Sequence, residues 1–131
     1  MIENFNKVKE YLLDLSLPIS EENAEEHYFV VNDDENGIQK MAIYVEDPIV
    51  VIEQFLFKLN NPKPETLIDI LQKNREMIHG AMVLDSSGTK VIYRDTLQSE
   101  NLDLNELEAS IHSLSMLLSE YSNQIISMAK A

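Results

Sequence analysis

In HGAMVLDSSGTKVIYRD, residues 79–95, a histidine, two aspartates, two serines and an arginine fall within seventeen positions. Acyl-transfer and hydrolytic sites use these types, because a hydroxyl nucleophile needs a base to take its proton and an acid to orient that base. The spacing does not support such a site. Ser86 and Ser87 belong to a turn-forming SSG run, not to the G-x-S-x-G elbow that would raise a nucleophile above a sheet, and nothing in the order of residues sets His79 against them. Asp85 and Asp95 flank what reads as a hairpin, where aspartate is ordinary turn chemistry.

Two further fragments have metal-site spacing. Asn32, Asp34, Asn36 and Gly37 reproduce the opening of a calcium loop, D-x-[DN]-x-[DN]-G, in which alternate oxygens wrap one ion. Its ninth and twelfth positions are Lys40 and Ile43, so the acid that should close the shell is missing. Glu76 and His79 have the E-x-x-H spacing of di-iron bundles, but those sites need the motif twice, and the residues three before His27 and His112 are Ala24 and Ala109. There is no phosphate loop, no G-x-G-x-x-G and no H-E-x-x-H. With no cysteine in the chain, thiolate metal sites and disulfides are excluded. The expectation is a protein that is not an enzyme and uses no metal and no cofactor.

The elements that would position these residues follow from periodicity. Ile2, Phe5, Val8, Leu12 and Leu15 form one helical stripe that Pro18 brings to a stop. SEENAEE reads as an acidic loop. HYFVV and IQKMAIYV read as two strands joined through NDDENG, with Asn36 and Gly37 supplying the positive φ angles. IVVIEQFLF, rich in β-branched and aromatic residues, reads as a third strand. Pro64 and Glu65 suit a first helical turn, and Leu67, Ile68 and Leu71 give that second helix a short apolar face. IHGAMVLD and TKVIYRD then form a hairpin.

Asp103 with Glu106 has capping-box spacing, and Leu102 with Leu107 has the spacing of a hydrophobic staple. Behind them Leu104, Leu107, Ile111, Leu114, Leu118, Tyr121, Ile125 and Met128 make a long heptad-like seam. The e and g positions lack paired opposite charges, which favours packing on the chain's own sheet over an intersubunit coiled coil.

The predicted class is therefore α+β, in the order helix, three strands, helix, two strands, long helix, with a mainly antiparallel five-stranded sheet in one domain over residues 1–131. In the third strand alternate residues put Ile49, Val51, Phe55 and Phe57 on one face and Val50, Ile52 and Leu56 on the other. An antiparallel sheet with one solvated face shows polar alternation instead. The expectation is that a partner or second subunit covers one face, with Ile49, Val51, Phe55 and Phe57 as partner-binding candidates and Leu67, Ile68 and Leu71 as dimer-interface candidates.

Ten basic and 23 acidic residues give a formal charge of −13, which repels phosphate backbones and anionic bilayers. Nucleic acid and membranes are thus poor partners. The longest apolar run, PIVVI, is far short of the roughly 20 residues a membrane helix needs. The N-terminus lacks a basic segment followed by an apolar one, so a cytoplasmic location is expected.

Leu71, Asn74, Gly80, Leu84, Asp85, Gly88 and Val91, in LQKNREMIHGAMVLDSSGTKVIYRD with a capped amphipathic helix after it, resemble the Tir-chaperone family. These are small acidic chaperones of bacterial type III secretion, and the YbjN-type proteins share their fold. The likeness is strongest over residues 64–128. It implies a homodimer whose apolar surface holds a partly unfolded segment of a client or effector, and it carries no catalytic residue. The alternative it leaves open is a YbjN-type regulatory or adaptor protein that binds a folded partner.

Overall fold

The computed structural model describes residues 1–130. The chain runs α1 (Ile2–Asp14), β1 (Ile19–Asn23), β2 (Tyr28–Asp33), β3 (Ile38–Glu46), β4 (Ile49–Lys58), α2 (Pro64–Asn74), β5 (Ala81–Leu84), β6 (Lys90–Gln98) and α3 (Leu104–Lys130). All neighbouring strands pair antiparallel in one sheet of order β1-β2-β3-β4-β6-β5. The α+β class and the succession of helices and hairpins agree with the expectation.

The sheet has six strands rather than five. The extra strand, β1, takes in the first half of the run expected to be an acidic loop. Ser20, Glu21 and Glu22 carry no strand propensity, but β1 is an edge that pairs with β2 on one side only, and acidic side chains on a free edge discourage pairing with another chain. The β2–β3 connection also differs from a two-residue turn. It is a 3-10 turn over Asp34–Asn36 closed by Gly37, which alone of the Asn36-Gly37 pair has a positive φ.

Register decides which side chains meet the helices. Val31, Met41, Ile43, Val50 and Ile52 share one sheet face through the pairs Val31↔Met41, Ile43↔Ile52 and Val45↔Val50, and all are buried. Phe5, Val8 and Leu12 of α1 and Leu107, Ile111 and Leu114 of α3 join them in a single core. The rings of Phe5 and Phe29 stack at 4.4 Å. Both of these helices thus cover the same face, while α2 lies along the β5 edge, where the Asn74 side chain donates to the Met82 carbonyl at 3.1 Å and accepts from the Met82 amide at 2.8 Å. One amide side chain so occupies both ladder groups of an edge residue that a further strand would use.

The strict alternation predicted for the third strand breaks near its end. Phe55 pairs with Ile92 but Phe57 pairs with Val91, so Leu56 is an extra residue, a β-bulge that turns Phe57 onto the helix side. Phe57 is 6% exposed and belongs to the core, whereas Phe55 is 54% exposed on the opposite face. Gln54, the polar exception on the core face, is satisfied there: it accepts from the Gln39 amide at 3.1 Å and donates to the Gly37 carbonyl at 3.0 Å.

The N-terminal cap of α3 forms as its spacing predicts, with the Asp103 carboxylate accepting from the Glu106 amide at 2.8 Å and both Leu102 and Leu107 buried. The seam is directed inward, with none of its eight members exposed, although Tyr121 (φ −120°, ψ 24°) breaks the helical path that periodicity alone would leave straight. Serines share the inward side. Ser113 Oγ donates to the His79 carbonyl at 2.6 Å, and Ser110 Oγ donates to Asp95 at 2.6 Å.

Tyr93 is fully buried and donates to the Ser110 carbonyl at 2.6 Å. Its ring lies where a Cβ on Gly80 would come within 2.6 Å, and Gly80 has φ +73°, so both space and backbone require glycine there. Burial first, then the nearby Asp95 carboxylate, push the Tyr93 phenol up to about 12.

Two outcomes follow from this packing. Phe57→Ala costs about 3–5 kcal/mol in urea unfolding, the usual price of a core phenylalanine, while Phe55→Ala costs less than about 1 kcal/mol. Equal losses at both positions would place the bulge elsewhere. For Tyr93, the folded state holds the phenolic proton more tightly than the unfolded one, so its contribution is complete below the ordinary value of 10 and is lost as pH rises towards about 12. Tyr93→Phe loses about 1 kcal/mol at neutral pH and has a shallower alkaline decline, read as unfolding free energy at a series of pH values across that window.

Candidate protein-binding surfaces

The face of the sheet away from α1 and α3 carries Tyr28, Val30, Ala42, Tyr44, Ile49, Val51, Phe55 and Ile92, aligned by the pairs Tyr28↔Tyr44, Val30↔Ala42, Tyr44↔Val51 and Phe55↔Ile92. None of these residues belongs to the core cluster. The two tyrosine rings lie 5.8 Å apart, and Glu21 acts as the leading cause raising the Tyr28 phenol. Glu53 and Arg94 pair across β4 and β6 within this face, and Glu46 and Gln98 beside Ile49 and Glu21 beside Val30 give its margin a polar and acidic border.

Of the four residues singled out in the third strand, Ile49, Val51 and Phe55 are on this face and Phe57 is not. They contribute unequally. Val51 is 3% exposed because its cross-strand neighbours Tyr44 and Thr96 flank it, so Phe55 and half-buried Ile49 offer most of the accessible area. Tyr28 and Tyr44 were not singled out, yet their alternation with Phe29 and with Ile43 and Val45 is the signal that places them here.

A second apolar surface borders α2. Leu67, Ile70 and Leu71 with Ala81, Met82, Val83 and Leu84 line a groove of about 420 Å³ beside the β5 edge. Leu67 is half-buried, Ile68 is 54% exposed and Leu71 is 67% exposed, while Ile70 between them turns inward at 4%. The helix therefore has two apolar sides, one spent on its own core and one left to solvent.

The chemistry-bearing residues of 79–95 are consumed in holding the hairpin. Asp85 accepts from Ser87 Oγ at 2.8 Å, from the Lys90 amide at 3.1 Å and from the Thr89 amide at 3.3 Å, and the Ser87 bond leads the causes that hold its carboxyl below the ordinary carboxylate value. His79 precedes β5 and Ser87 follows it, so imidazole and hydroxyl stand at opposite ends of a strand. Asn32 accepts from the Lys40 amide at 2.8 Å and donates to Ser20, and Asn36 donates to Asp33, which makes the calcium-loop-like residues parts of the hairpin. Among the described residues no three His, Cys, Asp or Glu side chains gather as a metal site, and no helix is long and apolar enough to cross a membrane.

Solved structures with the same fold include YbjN from E. coli, provisionally assigned as a transcription regulator, at 13% identity and a TM-score of 0.66, covering 95% of each chain. A chain of the HopA1–SchA chaperone–effector complex matches at 13% identity and a TM-score of 0.63, over 100% of this chain and 98% of its own length. The type III secretion chaperone SycH of Yersinia pestis, solved with a stable fragment of YscM2, matches at 16% identity and a TM-score of 0.56, over 95% of this chain and 98% of that one. No curated protein matches the chain by sequence. These structural likenesses establish a common fold, with two of the three neighbours taken from a chaperone–effector complex and from a chaperone bound to a protein fragment. The CesT_Tir_1 family model matches residues 1–131, and the chain therefore belongs to the CesT_Tir_1 family.

Proposed function

We propose that this protein is a non-enzymatic, chaperone-like binding module that holds an extended segment of a client protein against the uncovered face of its sheet. The observation that carries this reading is the one-sidedness of the core: α1 and α3 bury one sheet face, and the other keeps Tyr28, Tyr44, Ile49 and Phe55 without a covering helix. Contiguous apolar surface of this kind on a soluble domain marks an interaction site. An extended client suits it, because successive side chains can use alternating pockets while the backbone finds a sheet edge. On this reading the protein works in the cytoplasm, its client is an effector-like protein, and its charge of −13 keeps a surface with exposed apolar groups dispersed.

Two copies associate through α2. Leu67, Ile68 and Leu71 present a short apolar strip that continues into the groove beside β5, a surface suited to self-complementary packing about a twofold axis. A YbjN-type adaptor that binds a folded partner is the second reading, and it rests on the fold shared with YbjN.

Affinity capture of the tagged chain from its native cells, followed by hydrogen exchange on the captured protein, separates these readings. A client held by the chaperone shows a protected but otherwise unfolded segment, whereas an adaptor's partner exchanges as a folded domain. Phe55→Asp and Ile49→Asp reduce capture by about tenfold or more, since each buries an unpaired charge in the contact, and Phe55→Leu preserves it. Undiminished capture by both charged variants removes the sheet face from the function. Light scattering tests the second surface: Leu71→Asp, at a position already exposed in one chain, converts a particle of twice 15.0 kDa to one of 15.0 kDa. A wild-type chain that is monomeric at micromolar concentration overturns the dimer.

A further inference from the structure

We propose that the solvent side of α3 is a separate docking surface, and that its occupant is a cationic amphipathic segment of a partner protein. This surface is on the helical side of the molecule, with the sheet between it and the face assigned to a client, and it does not depend on that assignment.

Its shape comes from two small pits, the first lined by apolar and polar groups together and the second mainly apolar, joined by an open shelf. The first pit, about 50 Å³, is lined by Leu15, Leu17, Ile38 and Ile111, by the polar side chains of Asn36, His112 and Ser115, and by the carboxylates of Asp33 and Glu108. The second, about 20 Å³, is lined by Met77, Ile78, Leu117 and Tyr121 and rimmed by Glu76 and Glu120. The shelf between them carries His112, Ser115, Met116 and Ser119 and shares residues with both pits, so the three form one trough. Met116 is 54% exposed and Ile78 is 71% exposed, which leaves two large apolar side chains in water at one end of it.

The charge of the trough is of one sign. Asp33, Glu76, Glu108 and Glu120 line it, and no lysine or arginine does. At its far end Lys73 is paired with Asp69 at 2.7 Å and sits over the Tyr121 ring at 5.3 Å. Apolar contacts at both ends, with carboxylates beside each and no cation in the trough, select a segment that carries apolar side chains on one stripe and lysine or arginine beside it. The pits are centred about six residues apart along α3, or roughly 9 Å, close to the ~10.5 Å between side chains seven residues apart on a partner helix. Neither pit has room for an aromatic ring, so affinity is shared between shallow apolar contacts and the charges that flank them.

The test uses the full chain and two amidated helical peptides of about 14 residues. One has two leucines seven residues apart on a lysine and alanine background; in the other, glutamate replaces lysine. Fluorescence anisotropy shows binding of the lysine peptide that weakens steeply between about 50 and 200 mM salt, and none of the glutamate peptide. Amide resonances of Ser115, Met116 and Ser119 shift. The double variant Glu108→Lys/Glu120→Lys and, separately, Met116→Lys weaken the lysine peptide by about tenfold or more while melting with a single cooperative transition, and Phe55→Asp leaves it unchanged. The proposal fails if the lysine peptide does not bind, if the double variant binds it equally well, if the shifts fall on Tyr44 and Phe55, or if the trough proves to be covered by a second copy of this chain.

Discussion

Every surface in this molecule depends on the register of β4. It is an interior strand, paired with β3 on one side and β6 on the other, and the pairs Ile43↔Ile52 and Ile52↔Asp95 set which residues of three strands point to the helices. Because side chains alternate, a slip of one residue would exchange the two faces, putting Val51 and Phe55 under α3 and turning Val50 and Ile52 out to water. The bulge at Leu56 uses the same property locally: beyond it Phe57 rejoins the core, and the strand carries apolar residues on both sides without being buried on both.

The order and type of the long elements could be read from periodicity, as α1 and the capped start of α3 show. The central strand could be recognised as a strand but not resolved into faces at its end, because a bulge leaves no mark in a run such as QFLF. β1 was invisible for a related reason. An edge strand needs only backbone pairing on one side, and an acidic edge resists aggregation by having the composition of a loop. The candidate site suffered in proportion: Ile49, Val51 and Phe55 follow from alternation, Phe57 does not, and the Tyr28–Tyr44 pair appears only once β2 and β3 are brought side by side. In α2, by contrast, Leu67, Ile68 and Leu71 could be named without any tertiary information, since one helical turn places them together.

The polar residues of the β5–β6 hairpin illustrate why side-chain inventory misleads in a small domain. Asp85 organises the turn through Ser87, Thr89 and Lys90, and Asp95 receives Ser110 from α3. Tyr93 joins them by tying β6 to α3 beneath Gly80. The same groups, placed around a pocket with a free lone pair, would be catalytic candidates; here their hydrogen-bonding capacity is spent on structure, and no buried side-chain nitrogen or oxygen among the described residues lacks a partner.

What is left unspent is therefore surface rather than reactive chemistry. The core draws α1 and α3 to one side, so the opposite face of the sheet is left without a covering helix by the same packing that stabilises the fold. The β5 edge is already occupied at Met82 by Asn74, and the β1 edge bears Ser20, Glu21 and Glu22. A segment that adds backbone hydrogen bonds meets fewer obstacles at β1, where the acidic edge would admit a strand with basic flanks and reject an acidic one. The acidic residues that blunt the β1 edge thus also set the sign of the charge that any approaching backbone meets there.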